Sequence, residues 1–110
     1  NNYGDAAFQY EKAIELAMRH SRALNNLAWL YATCEDTTFR NPERSLILAK
    51  RAAALEREAH ILDTLAESYF INGDIKEALA VAKEALAIAK KDRPYYQGQI
   101  ARFEKALIIQ

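Results

Sequence analysis

Two prolines and three glycines leave this 110-residue chain too few chain-reversing positions for the many turns of an all-β domain. A single cysteine, Cys34, rules out a disulfide within the chain and a cysteine-rich metal site. A lone cysteine among helices is most often a small buried hydrophobe, and it gives no signal of compartment. Net charge is missing too. Fifteen Lys plus Arg balance 15 Asp plus Glu, so the basic footprint of a nucleic-acid binder is not there. No apolar run reaches the roughly 18 residues of a membrane span. The opening Asn1-Asn2-Tyr3-Gly4-Asp5 is not the basic-then-apolar start of a signal peptide. With no initiator methionine, the chain is expected to be a piece of a longer protein, with any targeting signal outside it.

What the chain does contain is helix-forming material. Hydrophobic residues make up 51% of it, and Ala, Leu, Glu, Lys and Arg are abundant. The length suits one compact domain with a small core. Apolar spacing predicts helices over about 3–17, 21–34, 42–55, 59–72, 75–90 and 94–108. Asn41-Pro42 reads as an N-cap followed by a first-turn proline. Gly73 can close one helix, and Asp74 with Glu77 reads as a capping box for the next. Pro94 suits the first turn of the last helix, whose Tyr96, Ile100, Phe103 and Leu107 form one apolar stripe.

The chain also repeats itself. Leu24-Asn25-Asn26-Leu27-Ala28-Trp29-Leu30-Tyr31 and Leu62-Asp63-Thr64-Leu65-Ala66-Glu67-Ser68-Tyr69 share Leu, Leu, Ala and Tyr in one order, 38 residues apart. Each is followed by an Ala-rich helical segment, holding Ala49-Lys50-Arg51-Ala52 and Ala82-Lys83-Glu84-Ala85. A further copy of that second segment opens the chain as Tyr10-Glu11-Lys12-Ala13-Ile14-Glu15-Leu16. Small residues at such positions let helix backbones approach while Leu and Tyr fill the space around them.

These residues resemble the tetratricopeptide repeat, whose signature is W-x2-L-G-x2-Y, then A-x3-F, then a closing Pro, over about 34 residues. Leu24-x2-Leu27-Ala28-x2-Tyr31 and Leu62-x2-Leu65-Ala66-x2-Tyr69 carry the first half, with Leu for Trp and Ala for Gly. Ala6-x3-Tyr10, Ser45-x3-Ala49 and Ala78-x3-Ala82 carry the second, and Asn72-Gly73-Asp74 stands at the family's turn. The closing Pro is missing from the first two copies. The resemblance implies an all-α fold, a right-handed α-α superhelix of about two and a half repeats plus a C-terminal capping helix. Residues 1–110 would form a single domain. In it, 1–18 is the second helix of a truncated repeat, 21–57 a repeat with an enlarged loop at 35–41, 59–91 a repeat, and 94–108 the cap. The truncated start leaves a face around Tyr3, Ala7 and Tyr10 expected to self-associate. The Asn-Leu-Ala-Trp-Leu-Tyr-Ala-Thr run with its long loop is similar to bacterial members of the family. Bacterial cytoplasm and periplasm both remain open.

Nothing in the residues assembles a catalytic centre. His20 and His60 lack the convergent partners a metal needs. Cys34 has no activating neighbour. Gly4, Gly73 and Gly98 stand apart from any phosphate-cradling loop. Glu56-Arg57-Glu58 and Lys90-Lys91-Asp92-Arg93 read as solvated turns. No cofactor, metal or enzyme activity is expected. The resemblance implies instead that the second stripe of each first helix lines a concave groove for a partner. Here that stripe is Arg22, Asn25, Trp29 and Thr33, then His60, Asp63, Glu67, Phe70 and Ile71. Trp29 is either an anchor in this groove or packing between repeats. Asn26 falls where some family members hold a clamp Asn for acidic tails, but His60 and Thr64 occupy the later basic positions. Asp63 and Glu67 favour a neutral or basic ligand over an acidic one. The expected function is a protein-protein interaction module binding a peptide or helix of a partner. The alternatives are a regulatory or positioning domain for an enzyme elsewhere in the parent chain, and a structural homo-oligomerisation module.

Overall fold

A computed structural model describes residues 2–16 and 20–110, with side chains over 4–9, 11–12 and 20–110. The described residues form helices and no strand. They run α1 Asn2–Leu16, α2 Ser21–Thr33, α3 Pro42–Leu55, α4 Ala59–Ile71, α5 Ile75–Ile88 and α6 Arg93–Ile109, with a 3-10 turn at Thr37–Phe39. The all-helical class is as expected, and from α2 onward every helix end falls within two residues of its predicted place, while the expected end of the first helix at 17 lies outside the described residues. No described helix is long and apolar enough to cross a membrane.

The 38-residue repeat in the sequence is also a repeat of helix ends. Adding 38 to the bounds of α2 (21–33) gives those of α4 (59–71). The second helices, α3 at 42–55 and α5 at 75–88, are instead 33 apart, so the difference lies in the connections at 34–41 and 72–74. The longer connection is built from its own polar groups. Asp36 accepts hydrogen bonds from the Thr38 hydroxyl at 2.7 Å and the Thr38 amide at 3.0 Å, and these hold its carboxyl below the usual carboxylate range. Arg40 Nε donates to the Cys34 carbonyl at 2.6 Å. The Asn41 amide donates to the Tyr31 carbonyl at 3.0 Å, bringing the loop back to α2. The shorter connection turns on Gly73, whose φ of +83° belongs to the left-handed region open to glycine.

The caps follow local chemistry, with one correction. Asn41 Oδ1 accepts from the Arg44 amide at 3.1 Å and Pro42 opens α3. His20 caps α2 through Nδ1, accepting from the Ala23 amide at 3.3 Å. Asp74 does occupy the N-cap of α5, but its side chain makes no capping hydrogen bond, so no capping box forms with Glu77. The backbone accounts for this. The amide of Asp74 closes the preceding turn on the Tyr69 carbonyl at 3.0 Å, and its ψ of 67° falls short of the extended N-cap geometry.

The core sits where the repeated small residues lie. Leu24, Leu27, Ala28, Ala49, Ala52, Leu62, Ala66 and Ala85 are buried at 1% exposure or less. They join α2 to α3 and α4, and α4 to α5. Ser45, fully buried on α3, reaches the Ala28 carbonyl of α2 at 2.8 Å and the Ser68 hydroxyl of α4 at 2.7 Å. Ser68 also donates to the Thr64 carbonyl at 2.8 Å, so this polar pair is satisfied inside the crossing of three helices. Truncating a core leucine such as Leu27 to alanine would remove about 2–5 kcal/mol of stability. Tyr31 and Arg44 both reach Glu11, at 3.3 Å and 3.0 Å, fastening α1 to α2 and α3. Of the face around Tyr3, Ala7 and Tyr10, the two tyrosine side chains lie outside the described residues; Ala7 is partly buried against the core.

On α6 the stripe of Tyr96 and Phe103 is buried, with Ile100 and Leu107 half-buried, so this helix covers the end formed by α4 and α5. Phe103 is wholly buried and stacks on Phe70 of α4 with ring centroids 4.9 Å apart. Asp92 precedes α6 in the left-handed region at φ 58°, and Arg93 ties the turn back by donating to the Leu86 and Ala89 carbonyls.

Candidate interaction groove

The faces of α2 and α4 that do not enter the core bound a concavity of about 830 Å³. Asn25, Asn26, Trp29, Leu30 and Thr33 come from α2. His60, Asp63 and Thr64 come from α4. Ala6, Cys34, Glu35 and Tyr95 of α6 complete the lining. A second concavity of about 710 Å³ continues from it past Arg22, His20, Glu56 and Glu58, sharing Asn25, Asn26 and His60. The volume is in the range that small recognition sites use.

The side chains expected in the groove divide into two sets. Asn25, Trp29, Thr33, His60 and Asp63 come together around the first concavity, and Arg22 lies in the second. Trp29 is 36% exposed, unlike the wholly buried Leu27 and Ala28 beside it on α2. Glu67 and Phe70 do not line the opening, and Ile71 is half-buried in the last turn of α4. Asp63 and Glu67, the two carboxylates expected in the groove, both meet α6. Asp63 is 7% exposed and Glu67 6%, and both are engaged by side chains of that helix.

The engagement is specific. The Tyr95 hydroxyl donates to Asp63 Oδ2 at 2.7 Å. The Gln99 amide donates to Asp63 Oδ1 at 3.1 Å and to Glu67 Oε1 at 3.2 Å. Arg102 pairs with Glu67, its guanidinium 4.9 Å from the ring centroids of both Phe70 and Phe103. Two buried carboxylates on successive turns of one helix are costly unless donors meet them. Residues 95, 99 and 102 supply those donors at helical spacing, beside the apolar stripe of 96, 100 and 103. The sequence reading missed this set, although the spacing of 63 and 67 matches that of 95 and 99 on facing helices. Burial, then the hydrogen bond to Asp63, then the charges of Asp63 and Glu67 push the Tyr95 hydroxyl far above its ordinary pKa, so it remains a donor. Burial raises Tyr96 in the same direction, with Asp63 and Asp92 adding to it.

Among the described residues no three His, Cys, Asp or Glu side chains converge as metal ligands. His60 lies 3.5 Å from Glu58, and buried Cys34 forms part of the wall. Asn25 keeps its Oδ1 covered and without a hydrogen-bond partner, an uncompensated polar atom beside the opening. The sequence matches no protein-family model, and no curated protein is significantly similar to it.

Proposed function

We propose that this chain is a protein-protein interaction module of the tetratricopeptide type, a right-handed stack of helical hairpins that holds a peptide or helix of a partner in the groove between α2 and α4. The observation that carries the reading is Trp29, a large aromatic left 36% exposed in the wall of an 830 Å³ concavity built on two rigid helices. Tryptophan buries much apolar area at little conformational cost, so such residues commonly anchor interfaces. The 38-residue spacing of both the sequence motif and the bounds of α2 and α4 supports the family resemblance. On this reading the chain binds and positions, and chemistry belongs to its partners.

Trp29 is the chain's single tryptophan, so its fluorescence reports on the groove alone. Peptides selected from a random displayed library should shift that emission on binding. Trp29→Ala should weaken them at least about tenfold while helical content is kept. Selected peptides that bind the Trp29→Ala chain as tightly as the parent would sink the proposal.

A further inference from the structure

Asp63 and Glu35, the carboxylates lining the main concavity, meet no Lys or Arg there among the described residues. In the adjoining concavity Glu56 and Glu58 face the single guanidinium of Arg22. The balance at α4 is uneven as well. Glu67 is paired with Arg102, whereas the donors on Asp63, Tyr95 and Gln99, are neutral. Neutral donors satisfy hydrogen-bonding capacity without cancelling charge. Among the described residues no cation pairs with Asp63, a buried carboxylate at the edge of an opening.

One helical turn along, the same chain shows what such a place accepts. At Glu67 a guanidinium lies against the carboxylate and over two aromatic rings, Phe70 and Phe103. At Asp63 the carboxylate and two aromatics, Trp29 and Tyr95, line the concavity together, and among the described residues no Lys or Arg joins them. Asn25 adds an oxygen without a donor, which a turn of its amide would present to the opening. A planar guanidinium fits this set better than an ammonium. It stacks on aromatic faces and directs several N–H groups at once toward separate oxygens.

We propose that the groove takes an arginine side chain of a partner protein, seated between Trp29 and Tyr95 against Asp63; this rests on the groove being the binding face. The test starts from a random-peptide phage library panned on the whole chain and counter-selected on Trp29→Ala. Trp29-dependent peptides should share an arginine. Replacing it with citrulline, which keeps the shape and removes the charge, should weaken binding at least about tenfold, and lysine should weaken it less. Asp63→Asn, checked for helical content, should lower the affinity of the arginine peptide and erase its advantage over the citrulline form. The peptide substitutions decide the matter even if that variant folds poorly. Trp29-dependent peptides without a recurring arginine, or indifferent to citrulline, would overturn the arginine assignment and leave the groove reading standing. Failure to recover any Trp29-dependent peptide would overturn both.

Discussion

Positions 25 and 29 on α2 and positions 63 and 67 on α4 are equivalent in the 38-residue repeat, yet they meet different surroundings. At the second pair a neighbouring helix brings donors matched to both carboxylates, and the face is closed by hydrogen bonds and by Phe103 on Phe70. At the first pair the aromatic remains partly open and an amide oxygen lacks a partner. The same register on the same kind of helix is thus closed off at Glu67 and left partly open at Trp29. The next helix in line, through the side chains it presents, sets that difference.

The largest expected effect on this comparison comes from reopening the closed face. Phe103 is fully buried against Phe70, and Phe103→Ala should cost about 3–5 kcal/mol through lost burial and the cavity left behind. Chemical denaturation followed by circular dichroism measures it. A loss under about 1 kcal/mol would mean that α6 is held by something other than this contact.

Arg102→Leu should have the next largest effect. It leaves Glu67 buried with Gln99 as its remaining donor and removes the cation from between two rings. Because the Arg102 side chain is 46% exposed, water moderates the loss, and about 1–2 kcal/mol is expected. Glu67→Gln in the Arg102→Leu background should recover part of it, since the buried charge is then gone. If the double variant is no better than the single one, the carboxylate is not the strained element.

A smaller, pH-dependent effect should follow the tyrosines. Tyr31, Tyr95 and Tyr96 all have folded-state pKa values above the ordinary 10.0, chiefly through burial. Between the unfolded and folded values the native chain holds more protons than the unfolded one, so the tyrosines' contribution to stability is level below about pH 10 and falls as pH rises above it. Tyr95→Phe should flatten that fall. Denaturation midpoints across alkaline pH check it, and an unchanged slope in Tyr95→Phe would remove Tyr95 from the account.

Much of this architecture was legible in the sequence because its signals are local. Asn41-Pro42 and Gly73 mark helix ends by backbone chemistry alone, and the Leu-x2-Leu-Ala-x2-Tyr runs mark core faces by spacing. Trp29 stood out through its chemistry beside polar neighbours. The fate of Asp63 and Glu67 was not local. It depends on a helix some 30 residues later bringing Tyr95, Gln99 and Arg102 to them, and a stripe of charge on one helix does not say whether water or a neighbour will face it. The silent cap at Asp74 failed for a similar reason, because the glycine turn before it set the backbone angle.

The stability of Trp29→Ala tests the central claim, that Trp29 on α2 stands open to a partner while Glu67, its counterpart on α4, is closed off by α6. Thermal and urea unfolding of this variant beside the parent chain should show unchanged helical content and a loss of about 1–2 kcal/mol, since Trp29 is 36% exposed and not wholly buried. A loss of several kcal/mol, as for a buried aromatic truncated within a core, would mean that Trp29 holds the helices together and would contradict the groove.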